Sequence, residues 1–375
     1  MKAARLFQAM AQLGALMMIV STLCIPFFGT RAGVPEPERK LMSGAYLMDK
    51  ANVNLRDEDA QHLTHLYYSF GLIEDGRLKT SHLRHWQQLR AYRDRHPHIQ
   101  LILAIGGWGA DGFSQAVQTA DSRAVFIDSI LDAVKKYDLD GIDLDWEYPT
   151  IGAGGISASS QDGENLVHLV RELRGALDAL GPQTGKAYHL SLAVGASEGT
   201  VKGIDAKELN DLVDCVNVMT YDLRAEKKAT HHANLYPATY DQNSVSGDTA
   251  IRMLESMGFS RKKLVLGGAA YGRVWNGAEA LGAAALNSGN KFLTYDAIRA
   301  DYLSSKDYVY HWDEDAMAPY LLGEQTFISF DDPKSMRLKG AYARQRGLGG
   351  MMFWDYTQDS SGELLRAMAQ GLRTD

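Results

Sequence analysis

A chain of 375 residues, 45% apolar and 23% charged, has material for one large α/β barrel with an insertion or for two smaller domains, and it excludes wholesale disorder. A formal net charge of −7 without any long Lys/Arg run excludes a general electrostatic pull toward nucleic acid and suits a neutral or cationic ligand. At the start, Lys2 and Arg5 precede an apolar run over residues 13–28, followed by Gly29, Thr30, Arg31 and Ala32. A basic head, a short apolar segment and small residues at its end read as a signal peptide over residues 1–32, with Ala32 the best cleavage candidate. An uncleaved membrane anchor is the alternative, but the run is short for a span and is broken by Pro26. The expectation is a secreted or periplasmic protein, free of the membrane after cleavage. Its remaining cysteine, Cys215, would be buried in a Val/Met-rich strand with no internal disulfide. Residues 33–40, with Pro35 and Pro37, read as a linker.

From residue 41 short apolar runs alternate with segments of helical periodicity. The runs cover residues 41–48, 63–70, 99–105, 139–145, 189–194, 213–221, 264–270 and 350–354, several almost continuously apolar, as in strands buried on both faces. Residues 122–137 place Phe126, Ile130, Val134 and Tyr137 near helical spacing behind Asp121 or Ser122 as N-cap, and residues 162–180 do the same with Leu166, Val170, Leu173 and Leu177. Eight such runs separated mainly by helices predict an α/β fold, a (β/α)8 TIM barrel over residues 41–375. A doubly wound sheet is the alternative, but no G-x-G-x-x-G follows the first run. Between the seventh and eighth runs lie about eighty residues, more than one helix and its loops require. Their Tyr and Trp content and turn signals predict a small α+β insertion over the barrel mouth, assigned to residues 276–345.

The segment Asp140-Gly141-Ile142-Asp143-Leu144-Asp145-Trp146-Glu147 carries the chemistry. Side chains alternate along a strand, so Asp143, Asp145 and Glu147 share a face, while Ile142, Leu144 and Trp146 fill the other. On the fourth strand of a barrel the three acids line the interior and rise toward the C-terminal mouth, where barrel active sites sit. Carboxylates so close share protons, and at least one pKa rises, which suits a general acid. A D-x-D pair also suits a divalent cation, but no His or further carboxylate cluster nearby completes such a site; no metal or other cofactor is expected.

This segment matches every defining position of the D-G-x-D-x-D-W-E pattern of glycoside hydrolase family 18, and the resemblance extends over most of the chain beyond the signal peptide. Ala104-Ile105-Gly106-Gly107-Trp108 is similar to the family's S-x-G-G on strand three, with Ala104 in place of Ser. Met219-Thr220-Tyr221-Asp222 resembles M-x-Y-D on strand six, Tyr271-Gly272-Arg273 resembles Y-G-R at the end of strand seven, and Trp354 stands where the family has an aromatic floor on strand eight. The insertion resembles that of chitinases with deep grooves.

The resemblance implies hydrolysis of β-1,4-linked N-acetylglucosamine polymers, chitin and its oligosaccharides, by a retaining mechanism in which the substrate's acetamido oxygen is the nucleophile. It implies Glu147 as general acid/base, Asp145 as stabiliser of the developing positive charge, Asp143 as its proton-sharing partner and Tyr221 as donor to the acetamido oxygen. Trp354 and Trp108 become stacking platforms, Tyr46 and Phe70 weaker ones, and Met219, Asp222, Tyr271, Arg273 and Trp275 groove-lining residues. Trp312-Asp313 and Pro319-Tyr320 are read as stabilising the insertion. The expected partner is the oligosaccharide alone; protein partners are not legible. Cleavage of the N-glycan core and lectin-like chitin binding are the alternatives, the second weakened by retention of all three acids. A non-enzymatic interaction protein on a barrel scaffold would leave the acid ladder unexplained.

Overall fold

The computed structural model describes residues 40–238, 240–241 and 244–373. The expected signal peptide (1–32) and all but the last residue of the expected linker (33–40) lie outside them. Among the described residues no helix is long and apolar enough to cross a membrane.

The closed sheet comprises β1 (Met42–Met48), β2 (His65–Glu74), β4 (Gln100–Gly106), β5 (Gly141–Asp145), β6 (His189–Gly195), β7 (Cys215–Met219), β8 (Leu264–Ala269) and β14 (Gly350–Trp354). Each pairs in parallel with its neighbour, and β1 closes the ring by bonding both β14 and β2. These are the eight predicted runs, each within two residues at its start. At its far end β2 outruns the apolar pattern and continues into an antiparallel hairpin with β3 (Arg77–Lys79). Inward positions form one buried cluster of Met42, Tyr46, Tyr67, Ile102, Ala104, Cys215, Val265 and Met352. The alternate positions, such as Leu47, Tyr68, Leu103, Ile142 and Leu144, join the larger core beneath the helices.

The main helices are α1 (Trp86–Arg95), α2 (Phe113–Val117), α3 (Ala120–Tyr137), α4 (Asp162–Thr184), α5 (Ala206–Asn210), α6 (Gly247–Met257), α7 (Pro333–Arg346) and α8 (Glu363–Leu372). The N-cap of α3 is Thr119, two or three residues before the expected Asp121 or Ser122. The Thr119 hydroxyl accepts from the Ser122 N–H (3.1 Å) while Ser122 Oγ accepts from the Thr119 N–H (3.0 Å). This reciprocal capping box satisfies two otherwise orphaned donors.

The insertion is a separate antiparallel sheet of β9 (Tyr271–Asn276), β10 (Lys291–Thr294), β11 (Val309–Asp313), β12 (Ala318–Leu322) and β13 (Thr326–Phe330), ordered β10-β9-β13-β12-β11. It starts five residues before the expected boundary of 276, because β9 follows β8 after one residue and reads in sequence as its continuation. It also ends earlier than 345: α7 follows β13 and supplies the barrel helix that precedes β14. Trp275, expected in the groove, is fully buried with Ala229, Ala278 and Phe327 as the insertion's own core. Trp312 and Asp313 pair with Pro319 and Ala318 across β11 and β12, so these residues do hold the insertion together.

A buried ion pair joins barrel and insertion. Asp331, directly after β13, accepts from Lys339 Nζ of α7 (2.5 Å), from Ser335 Oγ (2.6 Å) and from the Ala269 N–H at the end of β8 (3.1 Å). Both charged side chains are buried, so removing one strands the other in a medium of low dielectric. Lys339→Met is expected to lower stability by about 3–5 kcal/mol in urea unfolding, and adding Asp331→Asn to recover part of that loss.

Candidate active site

The acid ladder follows from strand geometry. Ile142 and Leu144 face the helices, Trp146 continues that face by stacking on Phe113 (5.0 Å between centroids, 9°), and Asp143 and Asp145 are left inside the barrel. The end of β4 must then pass very close to β5. Gly106 has φ +112°, and a Cβ there would stand 2.1 Å from the Asp145 carbonyl oxygen, which accepts from the Gly107 N–H (2.8 Å). The glycine pair beside Trp108 is thus a condition for placing Asp145.

Asp143 is fully buried and accepts from Ser191 Oγ (2.6 Å), the Tyr46 hydroxyl (2.8 Å) and Asn217 Nδ2 (3.2 Å). Burial nevertheless outweighs these three donors and raises its pKa to about 6. Asp145 is pushed well above the usual carboxylate range, first by burial and then by the charges of Glu147 and Asp143, and its Oδ1 has no partner among the described residues. Glu147 is raised by burial and by the Asp222 charge, against a hydrogen bond with Tyr148. Burial therefore opposes ionisation at all three interior acids, with Glu147 nearest the mouth.

Strand β7 ends at Met219, a buried inward position, and Tyr221 follows in the loop above. Thr220 Oγ1 donates to the Gly267 carbonyl (2.8 Å) and accepts from its N–H (2.9 Å); a Cβ on Gly267 would stand 3.0 Å from the Tyr221 ring. The Tyr221 ring meets Tyr271 edge-on (6.3 Å, 73°), and burial keeps both phenols protonated. Asp222 takes the left-handed φ of +58° and turns its carboxylate to Arg273, whose Nε and Nη2 each donate at 2.5 Å. Partial burial opposes ionisation of Asp222, but this bidentate guanidinium holds its pKa below the ordinary value.

Trp354, partly exposed, stacks on Phe70 (5.4 Å, 19°), and both pack with Tyr221 against the interior cluster. Trp108, 66% exposed, stands after the end of β4 with its ring open to solvent. Tyr46 is placed differently from the expectation. It is 2% exposed, stacked on Tyr67 (4.7 Å) and bonded to Asp143, so its faces are closed to a sugar and its hydroxyl serves the acid ladder. Sequence reasoning missed Ser191, Asn217 and Tyr148. The first two were detectable as lone polar residues at inward positions of the Leu190-Ser191-Leu192 and Val216-Asn217-Val218 runs. Asp143 lies in register between Ala104 and Ser191, so a hydroxyl reaches it from β6 where β4 offers none.

The profile of glycosyl hydrolases family 18 matches residues 43–359. The chain belongs to this family. It is 34% identical over 310 residues to chitinase A1 of Niallia circulans, covering 76% of this chain and 44% of that protein. It is 30% identical over 319 residues to chitotriosidase-1 of Mus musculus, covering 80% and 68%. The chain thus spans less than half the length of the Niallia relative. Among solved structures, a family 18 N-acetylglucosaminidase from Paenibacillus barengoltzii superposes with a TM-score of 0.85 at 36% identity, covering 88% of this chain and 99% of that one. A class V chitinase from Nicotiana tobaccum in complex with NAG4 superposes at 0.80 with 26% identity, covering 89% and 99%.

Within this family 18 site, Asp143 links stability to pH. Folding raises its pKa from the ordinary 3.8 to about 6, so its contribution is fully present below pH 3.8 and is lost as pH rises through 6. The loss amounts to about 3 kcal/mol at 1.36 kcal/mol per pK unit. Asp143→Asn carries no such penalty. Its urea midpoint is expected to gain on that of the wild type between pH 4 and pH 8, and a constant difference across that range would contradict the assignment.

Proposed function

We propose that this chain hydrolyses β-1,4-linked N-acetylglucosamine polymers, chitin and its oligosaccharides, with retention of configuration and with the substrate's own acetamido group as nucleophile. The observation that carries the reading is the buried stack of Asp143, Asp145 and Glu147 with raised pKa values under Tyr221. The chitinases among its relatives and the NAG4 complex of the Nicotiana protein support the substrate class.

The acetamido oxygen attacks the anomeric carbon while Glu147 gives its proton to the leaving glycosidic oxygen, so the C–O bond breaks as the oxazolinium ring closes. Asp145, with an unpartnered oxygen, accepts the acetamido N–H and stabilises the positive charge as it forms. Tyr221 donates its hydroxyl to the acetamido oxygen and holds it in attack geometry. Glu147, now a carboxylate, takes a proton from water; the water adds to the anomeric carbon, reopens the ring and restores the acetamide. Trp354 and Trp108 offer apolar faces to sugar rings, and Asp143 shares a proton with Asp145 below.

Glu147→Gln keeps shape but transfers no proton. Turnover of chito-oligosaccharides is expected to fall by about three orders of magnitude or more with binding retained, and activity within tenfold of wild type would remove Glu147 from this role. A glucosamine in place of the N-acetylglucosamine just before the scissile bond lacks the attacking oxygen. Cleavage there at a comparable rate, or a sugar ester trapped on Asp145, would overturn the assisted mechanism. A high-mannose glycopeptide assayed in parallel separates chitin-type substrates from the N-glycan core.

Export is proposed on the pattern of residues 1–32. N-terminal sequencing of protein recovered outside the cytoplasm is expected to begin near Gly33, whereas full-length protein held in the membrane would favour the anchor.

A further inference from the structure

Two adjacent histidines follow the Asp222 loop, and neither takes part in the chemistry above. His231 Nε2 lies 3.0 Å from Asp313 Oδ2 at the end of β11, and its ring packs edge-on against Tyr320. His232 is fully buried. Its N–H donates to Ser329 Oγ of β13 (3.0 Å), and its carbonyl accepts from the N–H of Leu223, the residue next to Asp222 (2.9 Å). The ring lies 5.0 Å from that of Tyr271, and Nδ1 is 3.8 Å from Asp222 Oδ1. Neither ring nitrogen has a hydrogen-bond partner among the described residues.

An unpaired buried nitrogen costs about 1–3 kcal/mol, so a histidine at this point calls for a use. A separation of 3.8 Å is too long for a direct hydrogen bond, but a small closing movement or one ordered water spans it. Four charged groups face the ring: Asp222 and Asp331 favour a proton on it, and Arg273 and Lys339 oppose one. Burial is the largest influence and keeps the imidazole neutral, its pKa pushed down to about 4. A neutral imidazole has one N–H to give, and the Asp222 carboxylate lies on the Nδ1 side.

We propose that His232 is a positioning residue for Asp222, donating from Nδ1 to its carboxylate directly or across one buried water, as a further hold beside the Arg273 grip. The inference rests on the general-acid role given to Glu147. The Asp222 charge helps keep Glu147 protonated, so the orientation of Asp222 sets how far into the neutral range the acid works. His232 is tied to β13 through its backbone and its neighbour His231 to β11, so the insertion sheet acts on the acid from a distance.

Asn and Gln substitutions separate the two ring nitrogens: an asparagine amide occupies the place of Nδ1, a glutamine amide that of Nε2. His232→Asn is expected to keep wild-type behaviour. In His232→Gln, Asp222 keeps only the Arg273 grip and can pivot about it away from Glu147, and the alkaline limb of kcat/KM on chito-oligosaccharides moves to lower pH by about half a unit or more. In that variant kcat falls about tenfold with KM within twofold. The same titration is read without substrate from the infrared carboxylic-acid band that Glu147→Gln abolishes. A Glu147 band that titrates alike in wild type, H232N and H232Q, or shifts equally in both variants, overturns the proposal. A wild type that leaves chito-oligosaccharides intact while the H232Q band still shifts overturns the substrate reading instead and leaves the His232 role standing.

Discussion

Everything at this site depends on the cost of placing carboxylates inside a closed barrel. An interior lined by Tyr67, Ile102, Ala104, Val265 and Met352 solvates charge poorly, so Asp143 and Asp145 resist ionisation however many donors surround them. The fold does not remove this penalty; it distributes it. Three donors converge on Asp143 at the bottom, while Asp145 above it keeps an oxygen without a partner among the described residues. The unmet demand is thus displaced upward, toward the end of the ladder that opens to the cleft. In the proposed mechanism, a stack paired at its base and unpaired at its top would meet the acetamido N–H without first breaking a bond of its own.

The wall of the cleft is built on the opposite electrostatic principle. Asp222 is kept ionised by a bidentate arginine, and its charge acts on Glu147 in turn. One carboxylate with a fixed charge beside others held protonated is how neighbouring acids acquire different roles at one pH. The separation is made by elements far apart in sequence: Glu147 follows β5, Asp222 follows β7, and Arg273 is carried by the first strand of the insertion. The insertion therefore contributes to the electrostatics of the site.

Almost continuous apolar runs made the eight barrel strands legible, because a strand buried on both faces has few polar positions to interrupt them. The acids were legible for the complementary reason, as Asp143, Asp145 and Glu147 break an apolar run at every second residue. The insertion boundaries were misplaced because β9 follows β8 after a single residue, and nothing in Ala270-Tyr271-Gly272 marks the change of sheet. Tyr46 was assigned to sugar stacking because an aromatic at a strand end looks the same whether its ring faces the cleft or the barrel axis. Only the packing against Tyr67 and the bond to Asp143 distinguish the two. Ser191 and Asn217 passed unnoticed because single polar residues in apolar strands point to no partner until the closed sheet sets Ser191 in register with Asp143 and brings Asn217 to it from two strands away.

The pairing at the base of the insertion has a consequence for how such a large excursion is tolerated. β9 leaves the barrel and β13 returns to it as adjacent antiparallel strands, with Gly272 opposite Phe330. The two ends of the added segment are therefore zipped together where they join the barrel. Closing a loop of about sixty residues costs only slightly more entropy than closing a short one, and here its own sheet closes it. To the barrel, the whole insertion is topologically equivalent to a hairpin turn between its seventh strand and the helix that follows, so the insertion can change in length at its distal strands without disturbing the register of β8 and β14.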